Sequence, residues 1–166
     1  MDKTFRRSDG FEPPDLFRYG WDHLRCAEIL FASGPLASDS AGYLSHLGIE
    51  LMLKAILLQV TGEFPASHSL RRLHTSVHEA VPAFVLGKSH LQLLEGIDRL
   101  CELRYPNRQN PVEVGHEEYY QVSSLANEIH RLIPKELGDA FHQVDILEKG
   151  GRRLGYLLTE KDPRIE

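Results

Sequence analysis

The stretch Ala41-Gly42-Tyr43-Leu44-Ser45-His46-Leu47-Gly48-Ile49-Glu50-Leu51-Met52-Leu53-Lys54-Ala55 decides the fold. Leu44, Leu47, Leu51, Ala55 and Leu58 recur at three- and four-residue steps, the period of one face of an α-helix. Ile49, Met52 and Ile56 widen that face, so this helix should meet neighbours on more than one side and form the central element. A serine or aspartate among Ser38 to Ser40 can cap its first amides, and Thr61-Gly62 stops it after about Val60. Gly48 lowers helix propensity in mid-element but permits close approach of a second helix.

Working outward, Pro13-Pro14-Asp15 starts an earlier helix running from about Asp15 to Ala32, because proline fits a first turn and an acid favours its positive end. Leu16, Tyr19, Leu24, Ala27 and Phe31 form its apolar face, and Ser33-Gly34-Pro35 ends it. Downstream, Ser67 to Val81 reads as a shorter helix stopped by Pro82, with Leu70, Leu73 and Val77 on one side. A fourth runs from about Lys88 to Arg104, where Pro106 disfavours helical geometry in the residue before it. Asn107 to Gly115 is a loop, and a fifth helix spans about His116 to Ile133. Lys135 to Phe141 suits a short helix, whereas Val144 to Leu147 and Leu154 to Leu158 flank the turn signal Lys149-Gly150-Gly151 as a loose hairpin or docked extension would.

Long helices with short connections give an all-α fold, an antiparallel up-and-down bundle of four to five helices with a C-terminal extension or short hairpin. The expected organisation is a flexible N-terminal segment (1–12), the bundle (13–134) and the extension (135–166). Hydrophobic residues at 42% and charged residues at 26% of 166 argue for one ordinary globular core rather than a disordered or fibrous chain. A formal net charge of -5 gives no global attraction for nucleic acid or anionic lipid, although it is compatible with a local basic patch. Cys26 and Cys101 are far apart and lie in apolar helical patterns, so buried, reduced thiols are expected. The basic start is not followed by an apolar run, and Glu50, Lys54 and Gln59 interrupt the longest apolar region. The expectation is a cytoplasmic protein without a membrane span.

Three ordered motifs are similar to those of HEPN domains, small prokaryotic helical bundles found alone and beside nucleotidyltransferase domains. They are the quoted helix leading into Glu50, then Leu53-Lys54-Ala55; His68-Ser69-Leu70 with Leu73 behind it; and Arg104-Tyr105-Pro106 at the end of the fourth helix. The resemblance covers roughly residues 12 to 133. It implies a homodimeric binding module, a nucleotidyltransferase-like partner of the toxin-antitoxin kind, and a nucleotide or RNA ligand. It calls for no cofactor.

Glu50, Lys54, His68, Arg104 and Tyr105 are the ligand-site candidates. Glu50 and Lys54, four apart on a helix, form either a structural ion pair or a charge pair that orients Arg104 or a phosphate. His68 either caps a helix start or bonds a carbonyl, or else serves acid-base chemistry or contacts a nucleotide. Arg104 either complements a helix C-terminus or grips phosphate through its guanidinium fork. Tyr105 is either a core-edge aromatic or a stacking platform for a base.

Catalytic HEPN ribonucleases carry an Arg, four to six residues, then a His, the arginine holding phosphate and the histidine moving a proton. Here eleven residues separate Arg104 from His116 and seven separate Arg108 from it. Arg18 with His23, and Arg71 or Arg72 with His78, satisfy the spacing in the wrong helices, at a frequency chance alone supplies. The chain is therefore expected not to be catalytic by itself. The alternative is a metal-independent endoribonuclease using Arg104 or Arg108 with His116. His74 and His78 share a helix face, but Thr75-Ser76-Val77 between them lacks the glutamate of a zinc protease, so no metal site is expected.

Overall fold

The structure is a computed structural model that describes residues 3–105, 107–115 and 117–149. Six α-helices account for most of it: α1 (Pro13–Ser33), α2 (Ser38–Thr61), α3 (Leu70–Ala80), α4 (Lys88–Asp98), α5 (Glu117–Leu132) and α6 (Lys135–Lys149). The all-α class expected from periodicity is the class observed.

α1 and α2 form the central pair. An ideal Cβ on Gly20 would lie 2.7 Å from the Gly48 carbonyl oxygen, and one on Gly48 would lie 2.6 Å from Leu24 Cγ and 2.9 Å from the Gly20 oxygen. The two backbones thus touch where both side chains are missing, as the sequence suggested for Gly48. Gly20 also faces Met52, while Ala27 and Phe31 pack with Ala41, so the helices run antiparallel. α2 also contacts α3, α4 and α5. By length and composition Pro35–Thr61 could cross a membrane, but 78% of its most apolar window is buried inside the bundle.

The core is centred differently from the expected stripes. Ile49, Met52 and Ile56 are fully buried, whereas Leu44, Leu47 and Leu51 are half-buried. On α1, Phe17 and Trp21 are buried, while Tyr19 is exposed beneath the Arg18 guanidinium, 4.8 Å from its ring centroid. The thiols depart from expectation too: Cys26 is exposed and Cys101 only half-buried.

The cap expected among Ser38 to Ser40 is absent, since those residues lie inside α2, whose first turn follows Ala37 without a side-chain cap. Other helix ends follow local chemistry. Pro13 and Pro14 occupy the first turn of α1, and Gly62 closes α2 in the left-handed region at φ 78°, which glycine adopts without a Cβ penalty. The expected fourth helix is α4 continued by a tighter 3-10 segment, Arg99–Arg104.

Both termini differ from expectation. Thr4–Arg6 forms β1, which pairs antiparallel with β2 (Glu63–Pro65) in the register Thr4↔Pro65, Phe5↔Phe64, Arg6↔Glu63. The Phe5, Phe11 and Phe64 rings hold this ribbon against the bundle, with centroids 5.4 to 5.5 Å apart. The N-terminal segment is therefore structured from Thr4. At the other end residues 144–147 belong to α6 rather than to a hairpin strand, and residues 154–158 lie outside the described residues. α6 docks by burying Leu137 and Phe141, whose ring meets Phe17 edge-on at 4.9 Å.

Candidate functional site

The motif stretches converge on Glu50. Its carboxylate is 4% exposed and accepts a 2.6 Å hydrogen bond from Lys54 Nζ, the i,i+4 pair foreseen from the spacing. His68 Nδ1 lies 3.1 Å from both carboxylate oxygens and, facing only acceptors, carries a proton. His46, one turn earlier on α2, places Nε2 3.5 Å from Oε2, at the outer limit of a hydrogen bond. Its Nδ1 lies 3.3 Å from the Ile97 carbonyl, tying α2 to α4. Burial works to raise the Glu50 carboxyl, but the contacts from His46, Lys54 and His68 prevail and hold it at about 2. Glu50 therefore stays ionised in the bundle, balanced by its neighbours.

His68 does not cap α3. Ser69 does, its hydroxyl oxygen accepting from the Arg72 amide, while the same hydroxyl donates to Asp98 Oδ2 at 3.2 Å. The Leu70 amide donates to Asp98 Oδ1 at 2.7 Å. His68-Ser69-Leu70 thus joins the start of α3 to α2 through Glu50 and to α4 through Asp98. Cys101 lies close by; burial and the carboxylates of Asp98 and Glu102 push its thiol up, leaving it a poor nucleophile.

Arg104 and Tyr105 are different in kind. Both are exposed, Tyr105 at 71%, and the Arg104 guanidinium sits 5.3 Å from the Tyr105 ring centroid. The Glu50–Lys54 pair does not orient Arg104: among the described residues the partners of Glu50 are His46, Lys54 and His68. Arg108 lies exposed in the loop that follows. His116 and Pro106 lie outside the described residues.

His74 and His78 stack with ring centroids 6.4 Å apart, and His78 Nδ1 is engaged by the Phe84 carbonyl at 3.0 Å. Burial, assisted by His78, lowers the His74 imidazole. Two further polar features were not foreseen. His46 precedes Glu50 by the same four residues that separate Glu50 from Lys54, a signal present in the sequence. Glu28 and Tyr119, 91 residues apart and both buried, share a 2.9 Å hydrogen bond donated by the phenol, which no local pattern announces.

No curated protein and no solved structure matches the chain. The family model of the HEPN domain does match, over residues 14–137, a span that takes in α1 to α5 and the joint around Glu50. The chain that folds in this way belongs to the HEPN domain family.

Proposed function

We propose that this chain is a non-catalytic binding module that works as a homodimer, holding a nucleotide or single-stranded RNA on Arg104, Tyr105 and Arg108 alongside a nucleotidyltransferase-like partner. One observation carries this reading: Arg104 is exposed, stacks on an exposed tyrosine, and pairs with no carboxylate among the described residues. A guanidinium in that setting suits phosphate, and an open aromatic face suits a base. Glu50 and Lys54 pair within α2, and Glu50 ties that helix to His68 at the approach to α3, so in this reading they maintain the bundle that carries the loop.

The test is fluorescence anisotropy with a labelled single-stranded RNA decamer, with ATP as competitor, on wild type, Arg104→Ala and Tyr105→Ala. Loss of a base-stacking tyrosine should weaken binding about 5- to 100-fold. Wild type that binds neither probe, alone or with the partner present, refutes the reading. RNA cleavage by wild type, abolished by Arg108→Ala or His116→Ala, would replace it with the ribonuclease alternative.

A further inference from the structure

Gly42 lies buried near the start of α2, where a glycine costs about 1 kcal/mol against alanine by helix propensity. An ideal Cβ there would lie 2.7 Å from Leu103 Cδ1, 3.1 Å from Val114 Cγ2 and 3.4 Å from Val114 Cγ1. Leu103 is the residue before Arg104, and Val114 closes the loop that Arg104 opens. Both ends of the segment carrying Arg104, Tyr105 and Arg108 therefore enter one notch on α2.

We infer that Gly42 is a positioning residue, which fixes the binding loop by seating Leu103 and Val114 side by side. The inference rests on the proposed role of that loop in binding. The surrounding contacts fit a loop held at its base. The Tyr105 amide donates to the Glu102 carbonyl at 3.2 Å, Asn110 Nδ2 donates to Glu102 Oε2 at 3.5 Å, and the Gly115 amide donates to Glu118 Oε2 at 2.8 Å. Residues 107–111 are exposed, tied among themselves by the Gln109 amide donating to Asn107 Oδ1 at 3.0 Å. The Leu103 contact is the tighter of the two, and Val114, stiff at χ1, cannot turn aside on the other flank, so an added methyl group displaces both ends of the loop. Gly42 thereby sets where Arg104 and Tyr105 stand relative to the helix.

The test is residue-resolved amide hydrogen exchange on the full chain. Gly42→Ala should speed exchange at Tyr105 and Gly115 about tenfold while Leu24 and Met52 in the α1–α2 pair keep their protection. Leu103→Val removes the clashing Cδ1, so Gly42→Ala/Leu103→Val should restore slow exchange. Leu103→Ala, which empties the notch instead of filling it, should loosen the same amides and serves if Gly42→Ala does not fold. Unchanged exchange at Tyr105 and Gly115 in Gly42→Ala, or in Leu103→Ala where that variant is needed, overturns the inference. So does failure of the double variant to restore protection. RNA affinity is read in parallel: loosened amides with no RNA binding by wild type would leave the clamp standing and remove the binding function.

Discussion

Replacing Glu50 with glutamine removes the charge around which three helices meet, and its effect can be worked out in sign and size. The Glu50 carboxyl falls from 4.5 to about 2 in the folded protein. At about 1.4 kcal/mol per tenfold change, that difference stabilises the fold by about 3 kcal/mol near neutrality. The side chain is 4% exposed, so solvent screening removes little of this. Because the folded-state value is depressed, the contribution is complete above about 4.5 and lost as pH falls toward 2. Glu50→Gln should therefore be about 3 kcal/mol less stable than wild type at pH 7, roughly a 6 to 12 °C lower Tm for a chain of this size. By pH 3 about half of that gap should have closed, and near pH 2 the two proteins should converge, since protonated glutamate and glutamine are alike.

Urea unfolding at several pH values measures this directly, provided the slope of ΔG against urea is unchanged. Other carboxylates titrate in both proteins and cancel. A companion variant, Glu50→Gln/Lys54→Met, should be less destabilised than Glu50→Gln alone, because the ammonium is no longer buried without its counter-charge. A gap that is the same at pH 3 as at pH 7, or below about 1 kcal/mol at pH 7, would refute the account of Glu50 as an ionised joint.

Four further substitutions probe the packing, the capping and a buried hydrogen bond. Gly48→Ala should destabilise by about 1 to 2 kcal/mol, the clash with Leu24 and the Gly20 carbonyl outweighing better helix propensity. Gly96→Ala, exposed in α4 with nothing within 4 Å of its new methyl group, should stabilise by about 0.5 to 1 kcal/mol; equal shifts in both thermal melts would contradict the close approach. Ser69→Ala should cost about 1 kcal/mol in urea unfolding through the lost cap of α3. Tyr119→Phe should cost about 1 to 2 kcal/mol by removing a donor from buried Glu28. In wild type, ultraviolet titration should show one phenol ionising well above the ordinary tyrosine range, because burial and Glu28 push Tyr119 up, and Tyr119→Phe should abolish that step.

The helices were legible through local punctuation, prolines in the first turn of α1, glycine after α2 and a serine cap on α3, and through apolar residues at helical spacing. Periodicity gave less about which side of a helix is deepest. Leu44, Leu47 and Leu51 match the template as well as Ile49, Met52 and Ile56 do, and only the arrangement of neighbours separates them. The β1–β2 ribbon was missed because three-residue strands are too short to show a period, and their pairing joins residues about 60 positions apart. The hairpin expected around residues 144–147 failed because the glycine pair behind it outweighed an apolar pattern that also fits α6, whose docking depends on Leu137 and Phe141 reaching α1.

The candidate site divides along the same line. The pair Glu50–Lys54 was visible because its spacing is local, whereas the contributions of His68, Ile97 and Asp98 required the chain to be folded. Their placement changes what the motifs mean. Lys54 and His68 direct their donors at a carboxylate that burial has already isolated, and Asp98 is occupied by the cap of α3. A ligand at Glu50 would have to replace the contacts of Lys54 and His68 with its buried carboxylate, at a cost comparable to breaking a buried ion pair, about 3 to 5 kcal/mol. Arg104 and Tyr105 impose no such requirement, since their open faces already meet solvent. The motif residues thus separate into a joint around buried Glu50, with exposed His68 at its edge, that maintains the bundle, and a surface that can bind without dismantling it.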